Sequence, residues 1–264
     1  MYTLFLGAWR YRQFIRSSVR LDLTSRFTRS KLGGFWVVIH PLTQVLIYAL
    51  VLSGVLSAKM PGINNRYAYA IYLCAGQVAW SLFAEVITRS LTVFIDNANL
   101  LKKISFPRIT LPLILIGSAL LNNLFLLTAV FVVFAVLGHM PGGAVACLPL
   151  LIVITLAFAV GLGLVLGVLN VFFRDLGQVV PIMLQILFWF TPIVYPATII
   201  PEALREWLAF NPVYPLVAAY QEVLVYGRFP APTPLLAVFA FSLLMLAFGL
   251  TLFRRASADM MDVL

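Results

Sequence analysis

Only a few residues in this chain could carry chemistry. The acids are Asp22, Glu85, Asp96, Asp175, Glu202, Glu206, Glu222, Asp259 and Asp262, and the histidines are His40 and His139. Glu85 and Arg89 stand four apart in an otherwise apolar stretch, in the order that favours an intrahelical ion pair. No helical spacing brings His40 and His139 together as metal ligands or as a proton relay. H-E-x-x-H and G-x-S-x-G are both missing, and no glycine precedes a lysine, so the phosphate-cradling G-x-x-x-x-G-K-[ST] loop is absent from these residues. Neither hydrolysis nor ATP turnover is written into this inventory. Cys74 and Cys147 lie in or beside apolar runs, where a thiol behaves as a small hydrophobe, so neither a disulfide nor a metal site is expected.

Polar and aromatic side chains set into apolar runs are what remains. His40, Gln44 and Tyr48 follow at i, i+4 and i+8, and Gln178, Gln185 and Trp189 at i, i+7 and i+11, so each run carries one stripe that avoids lipid. Two readings stand side by side: the stripes line a conduit, or they join helices by hydrogen bonds. Asn122 and Asn123 have no aromatic company and read as packing; Gly161, Gly163 and Gly167 read as close helix approach. Tyr69, Tyr72, Phe188, Trp189, Phe190 and Tyr195 gather towards one end of these runs. Such rings anchor at a membrane interface, and they also offer faces on which the axial C–H groups of a sugar can pack and slide.

The elements that position these groups follow from composition. Of 264 residues, 62% are hydrophobic and 10% charged, whereas a soluble domain carries about 25% charged residues. Most of the chain must therefore face lipid, and long unbroken apolar runs select helices, because hydrocarbon leaves no water for backbone amides. Six uncharged stretches, 35–57, 67–84, 109–137, 145–173, 176–195 and 235–253, are each read as a span, since about 20 apolar residues cross the hydrocarbon. The net charge of +9 is a topology signal rather than a nucleic-acid surface, because the basic residues flank apolar runs instead of sharing one soluble face with aromatics. With both termini cytoplasmic, 14 of the 18 Lys and Arg fall inside, leaving Lys59, Arg66, Arg205 and Arg228 outside.

Ahead of the first span, Ile15, Val19, Leu23 and Phe27 recur every four residues beside a basic stripe of Arg12, Arg16 and Arg20. This predicts an amphipathic helix on the cytoplasmic leaflet, the other reading being a solvated basic tail. The 2–9 stretch, followed by arginines, runs opposite to a secretion signal, so the mature chain is expected to start at Met1. Between the fifth and sixth spans, 196–234 holds seven prolines and an apolar segment, 213–226, that at about 14 residues is too short to cross and predicts a re-entrant or interfacial hairpin on the outer side. No repeat divides the chain, so a single transmembrane domain is expected over 1–264: the amphipathic segment 1–34, spans one to five within 35–195, the outer segment 196–234, the last span 235–253 and the tail 254–264.

Several ordered motifs carry a family resemblance. Arg29-Ser30-Lys31-Leu32-Gly33-Gly34-Phe35-Trp36 with Pro41-Leu42, the loop from Asn97 through Lys102-Lys103 and Phe106-Pro107 to Arg108, the turn Asn170-Val171-Phe172-Phe173-Arg174-Asp175-Leu176, and Phe190-Thr191-Pro192-Ile193-Val194-Tyr195-Pro196 together resemble membrane subunits of type-2 ATP-binding-cassette polysaccharide exporters. The resemblance spans essentially the whole chain. It implies the all-α type-2 exporter fold, a homodimer of permeases embedded in membrane lipid, and a separate cytoplasmic ATPase that uses ATP and Mg, this chain binding no cofactor of its own. It also implies export of an undecaprenyl-linked glycan of the O-antigen type; the same motifs fit capsule or teichoic acid export, and a drug or small lipid is the rival cargo on this fold.

On that resemblance, Asn99, Leu100, Leu101, Lys102, Lys103, Ile104 and Ser105 form the helix that couples to the ATPase, which Pro107 ends. Gln44, Tyr48, Tyr69, Tyr72, Gln185, Phe188, Trp189 and Tyr195 are the candidate substrate pathway. Arg26, Arg29, Lys31 and Arg89 are candidates for the carrier's pyrophosphate or for lipid headgroups. An ion-coupled transporter would need a mid-depth acid, and Glu85 is read as lying near a span end.

Overall fold

The computed structural model describes residues 11–27, 36–56, 67–103, 108–257 and 259–263, and among them every regular element is a helix. In chain order these are α1 (Arg12–Phe27), α2 (Trp36–Leu56), α3 (Ala68–Asp96), α4 (Ala98–Lys103), α5 (Thr110–Val136), α6 (Leu148–Phe172), α7 (Leu176–Phe190), α8 (Tyr214–Leu224) and α9 (Pro232–Ala256), with short turns between and a last turn at Asp259–Val263. Arg29, Lys31, Ile104 and Ser105 lie outside the described residues, as do the side chains of Arg26, Tyr48, Leu101 and Lys103.

Among the described residues, four helices, α3, α5, α9 and α6 with the 3-10 turn before it, are long and apolar enough to cross a membrane. α7 is a correction to the expected 176–195 span: the helix stops at Phe190 because Pro192 cannot extend it, leaving 15 residues and a turned 191–196 segment. α3 runs unbroken for 29 residues to Asp96, past the expected 67–84 stretch, so Glu85 and Arg89 stand within one continuous helix. A helix of that length spans about 43 Å, more than the hydrocarbon thickness.

α3 forms the axis of the bundle and packs against α2, α5, α6, α7 and α8. Small residues allow the closest crossings. A Cβ on Gly161 would fall 2.5 Å from the Leu246 backbone nitrogen, and one on Gly167 would collide with the Ser90 carbonyl oxygen. α6 is therefore pressed between α9 and α3. Stacked rings fill the space beyond the glycines, Phe83 on Phe158 and Phe94 on Phe253, both with centroids 5.4 Å apart. Only Val238, Ser242, Gly249 and Phe253 of α9 are buried, and its remaining apolar surface suits a lipid environment.

Polar ties define two ends. At one, Arg108 donates to the Ser257 carbonyl and Asn170 Nδ2 to the Leu91 carbonyl at 2.7 Å. At the other, His139 Nε2 donates to the Leu224 carbonyl at 2.9 Å and Tyr69 Oη to the Val194 carbonyl at 2.7 Å. The chain thus alternates ends from α3 to α9. α4 and the end of α9 share the end that carries Arg108. α8, 11 residues long and largely buried, stays at the opposite end, with Leu224 tied to His139 and the preceding Asn211 tied to Thr191.

α1 is amphipathic as its periodicity predicts, but its half-buried side meets this chain's own helices. Ile15, Val19, Asp22 and Leu23 are half-buried and Arg12, Arg16 and Arg20 exposed, and Val19 seats against Gly117 of α5.

Candidate functional site

The two expected stripes converge over α3. A cleft of about 480 Å³ lies between α2, α3 and α5, lined by Trp36, His40, Gln44, Gln77, Asn122 and Asn123 among others. A second, of about 280 Å³, lies between α2, α3 and α7 and is lined by Gln185, Phe188 and Trp189. Gln44, Trp80, Ala84 and Thr88 border both, so the two form one groove with α3 as its floor.

Each wall has a local cause. α2 carries Pro41, and its polar positions 40 and 44 fall one turn apart, which brings His40 and Gln44 to the same face. Gln77 Nε2 donates to Gln44 Oε1 at 3.3 Å, so the glutamine stripe serves helix joining and groove lining at once. From α7, Phe188 is buried and meets Trp80 edge-on with centroids 5.4 Å apart, while Trp189 beside it is half exposed to the groove. Tyr195 Oη donates to the Trp189 carbonyl, folding the 191–196 turn back over the end of α7.

Tyr69 and Tyr72 of the expected pathway set do not border this groove. Both are buried, and their hydroxyls donate to the Val194 and Pro192 carbonyls at 2.7 and 3.0 Å. Gln221 Nε2 donates to the same Pro192 carbonyl at 3.0 Å. A turn that leaves helical geometry inside apolar surroundings exposes backbone acceptors, and these three side chains satisfy them.

Charge beside the groove is paired locally. Arg89 Nη1 is 3.3 Å from Glu85 Oε1 and Arg89 Nη2 is 2.8 Å from Asp22 Oδ2. Asn122 Nδ2 donates to the same Glu85 oxygen at 2.6 Å, and Asn123 Nδ2 donates to the Val78 carbonyl at 2.9 Å. The packing reading of the asparagines therefore holds, yet both also border the cleft, and their buried Oδ1 atoms have no hydrogen-bond partner. Arg89 sits within this network rather than at an open basic surface.

Beyond the groove, α4 is the short helix expected at the coupling position, with Asn99 and Lys102 exposed and Leu100 half-buried. Phe172, Phe173, Arg174 and Asp175 are exposed at the turn between α6 and α7. At the other end, Phe190, Tyr195, Trp207 and Phe210 border an apolar cavity of about 660 Å³.

Sequence reasoning missed the floor and Asp22. The floor had a signal: Gln77, Ser81, Glu85 and Thr88 recur every three or four residues along α3. Asp22 had one as well, as the lone acid of α1, placed three residues after Val19 on the apolar side.

Comparison with known proteins fits this arrangement. The family described as ABC-2 type transporter matches residues 13–225. An O-antigen export system permease protein, RfbA, from Myxococcus xanthus is 30% identical over 240 residues, 90% of either chain. A protein of the same name from Klebsiella pneumoniae is 31% identical over 207 residues, 78% of either chain. The polysialic acid transport protein KpsM from Escherichia coli is 26% identical over 245 residues, 91% of this chain and 92% of that one. With the family match running from α1 to the end of α8, and with relatives aligned over most of their length, this chain belongs to the ABC-2 type transporter membrane family.

Proposed function

We propose that the chain is the permease subunit of an ATP-driven exporter that moves a lipid-linked surface polysaccharide of the O-antigen type across the cytoplasmic membrane. The observation that carries this reading is the groove, where hydrogen-bonding side chains and half-exposed rings face one another over α3 in a chain otherwise built to meet lipid. The names of the relatives support the cargo: two are O-antigen export permeases and one transports polysialic acid.

In this reading two copies pair so that α2 and α7 of each border a shared passage, with six spans, both termini cytoplasmic and α8 re-entering from outside. Gln44, Tyr48, Gln185, Phe188, Trp189 and Tyr195 form the polymer's path, a sugar face sliding on aromatic rings while its hydroxyls exchange bonds with the glutamines. A separate ATPase chain holds ATP and Mg and pushes on α4, whose exposed Lys102 meets acidic groups there. Because helices move as near-rigid rods, displacement at α4 passes into α3 and α5 and parts the walls. Arg26, Arg29, Lys31 and Arg89 guide the undecaprenyl pyrophosphate at the inner surface.

The test is removal of the gene followed by complementation. Loss of long-chain surface glycan, restored by the wild-type chain and not by Trp189→Ala, is the expected result. Unchanged surface glycan would overturn the cargo, and glycan movement by the purified chain without an ATPase would overturn the mechanism.

A further inference from the structure

The guanidinium of Arg89 stands in the wall between two cavities. One is the groove; the other, about 660 Å³, lies between α1, α3, α4 and α5 and is bordered by Phe14, Asp22, Asn97, Leu100 and Leu111 among others. Arg89 borders both. Its Nη1 faces Glu85 within α3, and its Nη2 reaches 2.8 Å across to Asp22 on α1.

Among the contacts that seat α1 on the bundle are this ion pair and the packing of Val19 on Gly117. Asp22 is the lone acid of α1, whose other charges are Arg12, Arg16, Arg20 and Arg26.

We propose that Asp22 is a positioning residue that holds α1 as a strap across Arg89, and that the diphosphate of the lipid-linked substrate displaces it and releases α1 beside α4. The proposal rests on the export reading above.

Charge supplies the reason. While Asp22 holds Nη2, that edge of the guanidinium is closed to any other anion. With Asp22 withdrawn, Nη2 becomes available to an oxygen of the diphosphate, which carries more charge than one carboxylate. The side chains of Arg89 and Asp22 are 21% and 28% exposed, which leaves the pair weak enough to exchange. Once free, the exposed basic face of α1 is drawn to the anionic leaflet. Its departure opens the second cavity along Leu100 of α4, so arrival of a headgroup in the groove is felt at the coupling helix.

The seat of α1 provides its own reporter. A Cβ on Gly117 would lie 3.9 Å from Val19 Cβ, inside the range of about 3.5–4.5 Å that a disulfide requires. The double variant Val19→Cys, Gly117→Cys, assembled with its ATPase in phosphatidylglycerol vesicles, is oxidised mildly, and the disulfide is quantified by mass spectrometry of the cross-linked peptides. Undecaprenyl diphosphate in the vesicles should slow cross-linking by about three-fold, the scale of a partly exposed ion pair. Inorganic pyrophosphate, added to vesicles lacking that lipid, separates a soluble from a lipid-borne source of the same chemistry. Asp22→Asn should slow cross-linking without any probe. Exchanging the charges with Asp22→Arg and Arg89→Asp should restore seating and abolish the diphosphate response. Cross-linking that responds to neither diphosphate, or that Asp22→Asn leaves unchanged, overturns the proposal. The export reading fails separately, when gene deletion leaves surface glycan intact while diphosphate still unseats α1.

Discussion

Trp80 on α3 and Phe188 on α7 meet at 62° with ring centroids 5.4 Å apart, and Trp80 also borders the cleft beside α2. Phe188 in turn meets Trp189 at 82° and 5.7 Å, so a buried pair of rings presents a half-exposed third to the groove. The three rings therefore have separable roles, two holding the groove's shape and one offering it a face.

Trp80→Ala should lower unfolding stability in detergent by about 3 kcal/mol, because it empties a large buried volume. Trp189→Ala should leave stability within about 0.5 kcal/mol of wild type, yet reduce export by about ten-fold, the most that a lost ring-face contact of about 1.4 kcal/mol can cost. Thermal unfolding and surface-glycan quantification on both variants separate the roles. Equal loss of stability in the two would remove the distinction.

Tyr69→Phe and Tyr72→Phe each delete a hydroxyl that satisfies a carbonyl in the 191–196 turn. Each should cost about 1 kcal/mol of stability, the net worth of a buried hydrogen bond, while export per folded molecule stays at the wild-type level. A fall in export without a fall in stability would return these tyrosines to the pathway.

Gly161→Val should be among the most damaging single changes in the bundle. Its added carbons meet the backbone of Leu246 and Met245 rather than a yielding side chain. Separating α6 from α9 in this way should cost about 3 kcal/mol, whereas Gly143→Ala, whose Cβ meets open space, should be neutral. Denaturation in detergent micelles checks both.

Reversing Lys102 and Lys103 to glutamate should weaken co-purification with the ATPase several-fold and leave the permease's own unfolding unchanged, since Lys102 is exposed on α4. Undiminished association would take these lysines out of the coupling surface.

Much of this was legible from residues alone. Apolar runs marked the helices, glycines at 161, 163 and 167 marked the close crossings, and the stripes through Gln44 and Gln185 marked the faces that avoid lipid. Periodicity assigns a residue to a face, however, and says nothing about what that face meets. Nothing in local spacing distinguishes Trp189, which borders the groove, from Tyr69, which turns inward to a carbonyl 125 residues away.

Composition and charge order determined by themselves that this is a helical membrane protein and which helix faces are polar, because lipid enforces backbone pairing within each segment and penalises every exposed charge. The tertiary structure alone decided the partners: Asp22 with Arg89 across 67 residues, Asn122 with Glu85 across 37, and α3 as the groove's floor. Those choices depend on crossing angles and on how closely backbones approach, and both arise only when all the helices pack at once.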